Sequence, residues 1–165
     1  MTSPDLSLTE WVVLALVAES PTHGFAVSKE LQAGSDLGRI LTVHRPLVYR
    51  ALDRLGDAGL VTDIATEPGD AGPNRTVVRA SRSGKAALRR WFVTPVDHVR
   101  DLRIEFLIKL RLTERVGKDT TPLMRAQQEE LATTLDRLTA VEDDQDVVDR
   151  WRRHNAAAAA NFLNN

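Results

Sequence analysis

The side chains best placed for chemistry in this 165-residue sequence are its arginines. From Leu37 to Arg90 there are ten basic residues, among them Arg45, Arg50, Arg54 and Arg75, against five acids. The rest of the chain is acidic, so a net charge of −1 conceals a segment with five surplus positive charges. Guanidinium groups grip phosphate through paired N–H donors, and segregation of this kind is what a localised polyanion contact requires. Arginines that merely solvate a helical surface would give the same count. Position within an element has to decide.

Catalytic chemistry finds no such support. His23, His44, His98 and His154 do not fall at the spacing of a helical zinc site, and the glycines from Gly69 to Gly72 lack the lysine of a phosphate loop. No Gly-x-Ser-x-Gly turn is present, and cysteine is absent, which removes thiol nucleophiles, cysteine zinc sites and disulfides. The expectation is a non-enzyme that needs no cofactor and no metal. The opening Met1-Thr2-Ser3-Pro4-Asp5 lacks the basic flank and apolar core of a signal peptide. No apolar run nears the roughly 18 residues of a membrane span. A cytoplasmic protein without a membrane partner is expected.

The elements that carry these arginines follow from local signals. Ser7 and Glu10 form a capping box ahead of Leu8, Trp11, Val12 and Ala15. A second helix opens near His23-Gly24-Phe25, anchored by Phe25, Val27 and Leu31, and breaks near Gly34 or Gly38. Arg45-Pro46 suits the first turn of a third helix with the stripe Val48, Leu52 and Leu55, and Gly59 suits its left-handed cap. Leu60–Ile64 and Thr76–Ala80 are short, β-branched runs around a glycine- and proline-rich tip, which predicts a hairpin. Ser81 caps a fourth helix with Leu88, Trp91 and Phe92 on its apolar face. Everything beyond Pro95 reads as helix. Ile104–Leu110 is apolar on more than one side, and Glu142, Asp143, Asp144 and Asp146 read as a solvated turn.

The fold class is therefore mainly α with a small β-hairpin. It divides into an N-terminal winged helix-turn-helix domain over 1–95 and a helical region over 96–165. On a helical wheel of the third helix, Pro46, Arg50 and Asp53 oppose the apolar stripe, with Tyr49 and Arg54 on the flanks. Bases come first (Arg45, Arg50) and acids later (Asp53, Asp57). A solvated helix prefers the reverse order, because acids near the N-terminus oppose the helix dipole. A recognition helix uses its N-terminal part to meet base edges in the major groove. The ordering favours double-stranded DNA as the partner.

At this point the sequence resembles the PadR family of bacterial transcriptional regulators. The resemblance rests on His23-Gly24-Phe25, on Val48-Tyr49-Arg50-Ala51-Leu52-Asp53-Arg54-Leu55, on Gly59-Leu60-Val61, on Gly72-Pro73 with Arg75, and on Glu105-Phe106-Leu107-Ile108-Lys109-Leu110. It covers about Leu8 to Leu112. It implies a homodimer with two winged helices and a C-terminal dimerisation region, usually a repressor released from a pseudo-palindromic operator by a small molecule. It also implies that Arg45, Tyr49 and Arg50 lie on the DNA side of the recognition helix, with Asn74, Arg75 and Thr76 at the wing. Two departures stand out: Val78 where the family often has Tyr, and Thr76 where it has Lys.

Leu131, Leu135 and Leu138, followed by Val147, Trp151, Ala158 and Phe162 on the last helix, are the expected dimerisation residues. That helix follows a winged-helix core already complete by Pro95. The run Ala156 to Ala160 would let two backbones approach closely. Trp91, Phe106 and Trp151 are the expected lining of a pocket for a small apolar or aromatic effector. The alternative is a winged helix used as a protein-interaction or dimerisation module without DNA binding. Such a module has no reason to expose Arg45 and Arg50 ahead of the acids.

Overall fold

The computed structural model describes residues 4–68, 74–140 and 146–164. The wing tip at Gly69–Pro73, with the Gly72-Pro73 pair, lies outside the described residues, as do Glu142, Asp143 and Asp144. The chain forms two compact units, Met1–Phe92 and Val93–Asn165. Among the described residues, no helix is long and apolar enough to cross a membrane.

In the first unit, α1 (Leu8–Glu19) starts at the expected capping box. The Ser7 N–H donates to Glu10 Oε2 at 2.6 Å and the Glu10 N–H donates to Ser7 Oγ at 3.4 Å. The helix is buried from Glu10 to Val17 on every side, more than a single stripe predicts, because it is the central helix of the unit. Trp11 stacks on Trp91, with ring centroids 5.5 Å apart. Next come β1 (Thr22–His23), α2 (Gly24–Glu30) and α3 (Arg45–Asp57), which buries Val48, Ala51 and Leu55. Gly59 adopts φ +65 just beyond α3, as its glycine cap requires.

Strands β2 (Val61–Glu67) and β3 (Arg75–Ala80) pair antiparallel as the hairpin. The register shifts between Asp63 and Ala65, which places a bulge at Ile64. The sheet has a third strand that the sequence did not announce. Thr22 pairs with Val78 and His23 with Val77, giving the order β1-β3-β2. Helix α4 (Arg82–Val93) is capped by Ser81, whose Oγ accepts from the Gly84 N–H at 3.1 Å, and buries Gly84, Ala87, Leu88 and Trp91.

The second unit is helical: a 3₁₀ turn at Val99–Arg103, then α5 (Glu105–Arg115), α6 (Thr121–Thr139) and α7 (Val147–Leu163). Asp146 caps α7, its Oδ1 accepting from the Val148 and Asp149 N–H groups at 2.7 and 3.0 Å. The core comprises Val96, Leu102, Phe106, Leu110, Leu123, Leu131, Leu135, Ala156 and Leu163.

This packing corrects two expectations. Leu131 and Leu135 are buried inside the unit's own core, and Leu138 packs against it, so none of the three offers a free surface. Helix α7 has a core of its own to join: Ala156 and Leu163 are buried in it, and Ala159 and Ala160 pack against it. The alanine run therefore lets α7 approach its own unit. Of the seven expected dimerisation residues, Val147, Trp151, Ala158 and Phe162 are exposed. Of the expected effector residues, Trp91 belongs to the first unit and Phe106 and Trp151 to the second. Trp91 is stacked on Trp11, Phe106 is fully buried in the second core, and Trp151 is exposed.

Candidate nucleic-acid interface

A groove of about 880 Å³ runs between α2, α3 and the hairpin. Arg45 and Tyr49 reach it from α3, while Asn74, Arg75 and Thr76 reach it from the base of the wing. Five of the seven expected DNA-contacting residues thus share one groove. Arg50 stands outside it, exposed on α3, with no ion pair or hydrogen bond to any described residue.

Arg54 differs from the other six. Its Nε lies 3.0 Å from Glu10 Oε1, and the Glu10 side chain is only 4% exposed. The same carboxylate closes the capping box of α1. One guanidinium therefore braces α3 against α1 and satisfies a buried acid whose desolvation would otherwise be costly. Part of Arg54 is committed to holding the helix, and its outer N–H groups remain on the exposed side.

The groove has a basic end and an acidic end. Asp53, Asp57 and Asp63 line the latter, where α3 faces β2. At the basic end the organising group is Phe25, which the sequence assigned to the core and the structure leaves half-buried. Arg45, Arg75 and Lys29 place their cationic groups 5.2, 5.5 and 4.8 Å from its ring centroid. Each such contact at an exposed site contributes about 0.5–1 kcal/mol. Arg45 also lies 5.5 Å from the Tyr49 ring and donates from Nη2 to Tyr49 Oη at 3.4 Å.

Local geometry explains how the rings come so close. His23 caps α2 through Nδ1, which accepts from the Ala26 N–H at 3.2 Å, so the backbone around Phe25 is fixed. Gly24 meets Tyr49 face on: a Cβ there would lie 2.8 Å from Tyr49 Cε1 and 3.0 Å from Cζ. Only glycine leaves room for the phenol. The His-Gly-Phe triplet is thus a cap, a gap and a ring. Of these only the position of His23 at the helix start was legible locally, because the gap and the ring depend on α3 and β3.

Comparison with known proteins comes to the same segment. Among curated proteins, none matches the chain. The fold is similar to that of Bacillus subtilis PadR in complex with operator DNA, with 16% identity over 98% of this chain and 93% of that one, at a TM-score of 0.53. Bacillus subtilis PadR in complex with p-coumaric acid is also similar, with 14% identity, coverage of 96% and 95%, and a TM-score of 0.48. The model of the transcriptional regulator PadR-like family matches residues 13–90, from α1 through nearly all of α4. Over that winged helix-turn-helix segment, the chain is similar to the PadR-like family of transcriptional regulators.

Proposed function

We propose that the protein is a sequence-specific DNA-binding repressor that acts as a homodimer and responds to a small apolar or aromatic effector. The observation that carries the DNA-binding part is the convergence of Arg45 and Tyr49 of α3 with Asn74, Arg75 and Thr76 of the wing on one groove. A recognition helix and a wing that share the basic end of one groove can hold a duplex at two points, a base edge and the adjoining backbone. In this reading the division near residue 95 separates DNA binding from dimerisation. Two-fold pairing sets the recognition helices about 34–36 Å apart, on successive major-groove turns.

Single substitutions separate the two kinds of contact. Arg75→Ala is expected to weaken binding to all duplexes alike and to lower the log–log salt slope by about one unit. Arg50→Ala is expected to cost about 1–3 kcal/mol and to relax preference at one position per half-site. Footprinting upstream of the protein's own gene, followed by titration at several salt concentrations, measures both. If both variants bind like the wild type, this face does not contact DNA.

Trp151 supports the effector part, since its exposed indole offers a face on which a flat ligand can stack. Such a ligand lowers DNA affinity only if it prefers one arrangement of the dimer over another. A screen of aromatic compounds should therefore find one that quenches tryptophan fluorescence in the wild type, quenches it less in Trp151→Phe, and releases the operator. Quenching that is unchanged in Trp151→Phe would place the effector elsewhere.

A further inference from the structure

Three cations from three different elements surround one half-buried ring: Lys29 of α2, Arg45 of α3 and Arg75 of β3 about Phe25. Like charges brought together in this way repel one another and need a negative partner. Among the described residues no carboxylate pairs with Lys29 or Arg45. The negative partner they share is the face of the Phe25 ring. A carboxylate would hold Lys29 and Arg45 more firmly, but it would also cancel the charge that a phosphate needs. An aromatic ring fixes the position of a cation and leaves its charge intact.

We propose that Phe25 is a positioning residue for the DNA backbone. Its ring sets Arg45 of the recognition helix and Arg75 of the wing at a fixed separation, so that both meet phosphates of one strand without rearranging. The inference rests on the DNA-binding reading above and deepens it. His23 caps the helix that carries the ring, and Tyr49, seated against Gly24, offers Arg45 a second aromatic face. Preorganised cations lose less side-chain freedom on binding than free ones, and that difference appears as affinity.

The test uses the full-length chain, a mixed-sequence duplex and three proteins: wild type, Phe25→Leu and Phe25→Tyr. Leucine keeps an apolar side chain at the start of α2 and removes the π face. Phe25→Leu is expected to bind the duplex roughly 5- to 30-fold more weakly at low salt, the loss of two cation–π contacts. Phe25→Tyr should stay near the wild type. Without DNA, the side-chain Nε–H resonances of Arg45 and Arg75 should carry ring-current shifts in the wild type and Phe25→Tyr; in Phe25→Leu, Arg75 should lose its shift and Arg45 should keep only the part due to Tyr49. In an Arg45→Ala background the cost of Phe25→Leu should shrink, because one of the two held cations is gone. If the wild type binds DNA and Phe25→Leu binds equally well, the positioning role is wrong and the DNA reading stands. A loss that Phe25→Tyr shares, accompanied by a lower Tm, marks a purely structural role and also overturns the proposal. A wild type that binds no duplex at low salt sinks the DNA reading and this inference with it.

Discussion

Changing Trp151 and Phe162 together to glutamate is expected to give a folded monomer that binds a two-half-site operator about 100- to 10,000-fold more weakly. Helix α7 presents two apolar faces. At 100° per residue, Val147, Trp151, Ala158 and Phe162 fall within about 60° of one another, while Ala156 and Leu163 fall on the opposite side. The second face is spent on the unit's own core. The first is not: Val147 is 67% exposed, Trp151 70% and Phe162 46%. Spacings of four, seven and four residues are those of a helix that packs along another helix. A stripe so long on an exposed helix face, flanked by Arg150, His154 and Asn161, has the character of a partner-facing surface. Under the homodimer reading, the partner is a second copy. Because these side chains touch no core, their replacement should change the stability of one chain by no more than about 0.5 kcal/mol. The loss in affinity comes from two half-sites no longer sharing one binding event, with each half-site contact unchanged. Sedimentation and thermal melting of the variant beside the wild type, together with titrations against a single and a double half-site, measure all three terms. A variant that remains a dimer and keeps full affinity for the double site would move the interface off α7.

How much of this was legible in the sequence follows from how local each feature is. The capping box of Ser7 and Glu10, the Pro46 start of α3 and the Gly59 cap depend on neighbours within one or two turns, and all three appear where local rules put them. The hairpin followed from β-branched runs around a glycine-rich tip. Strand β1 did not, because two residues acquire strand geometry only by pairing with Val77 and Val78 far along the chain. Of the seven candidate DNA-contacting residues, Arg45, Tyr49, Arg50 and Arg54 were visible as charge and helical phase, while Asn74, Arg75 and Thr76 came from the family resemblance. What organises them was not, since an aromatic residue in the first turn of a short helix looks like core until α3 and β3 bring cations to it. The stripe of large side chains on α7 was legible from its helical spacing, and the structure leaves it exposed. Its opposite face was hidden in alanines, whose small side chains signal burial weakly although they allow the closest approach.

The reading of Ile104–Leu110 as a helix buried between neighbours extends to its one cation, and the largest effect on stability is expected there. Lys109 is 1% exposed. Its Nζ lies 2.7 Å from Glu105 Oε1 and donates to the Thr94 carbonyl at 2.9 Å. The chain just beyond Thr94 is held by a second polar side chain. The buried Gln127 accepts from the Val96 N–H through Oε1 and donates to the Val96 carbonyl through Nε2, both at 2.8 Å. Two side chains thus fasten residues 94–96 to α5 and α6. Lys109→Ala removes one fastening, opens a cavity in a buried stretch of α5, and takes from Glu105 its ion pair with Lys109. Breaking a buried pair costs about 3–5 kcal/mol, and because Glu105 is one-third exposed and can rehydrate, the lower end is expected. Lys109→Met, which keeps the volume and removes the charge, should be far milder. The pH dependence separates charge from packing. Burial lowers the Lys109 pKa from 10.5 more than Glu105 raises it, so the unfolded chain binds this proton more tightly than the folded one. Stability from this group therefore rises with pH between the lowered folded value and 10.5. Lys109→Met lacks that titration, so any advantage it holds over the wild type should narrow as the pH is raised through the window. Thermal melts of the three proteins at neutral and alkaline pH give the comparison. A gap between Lys109→Met and wild type that does not change with pH would mean that the ammonium is as well solvated in the fold as outside it.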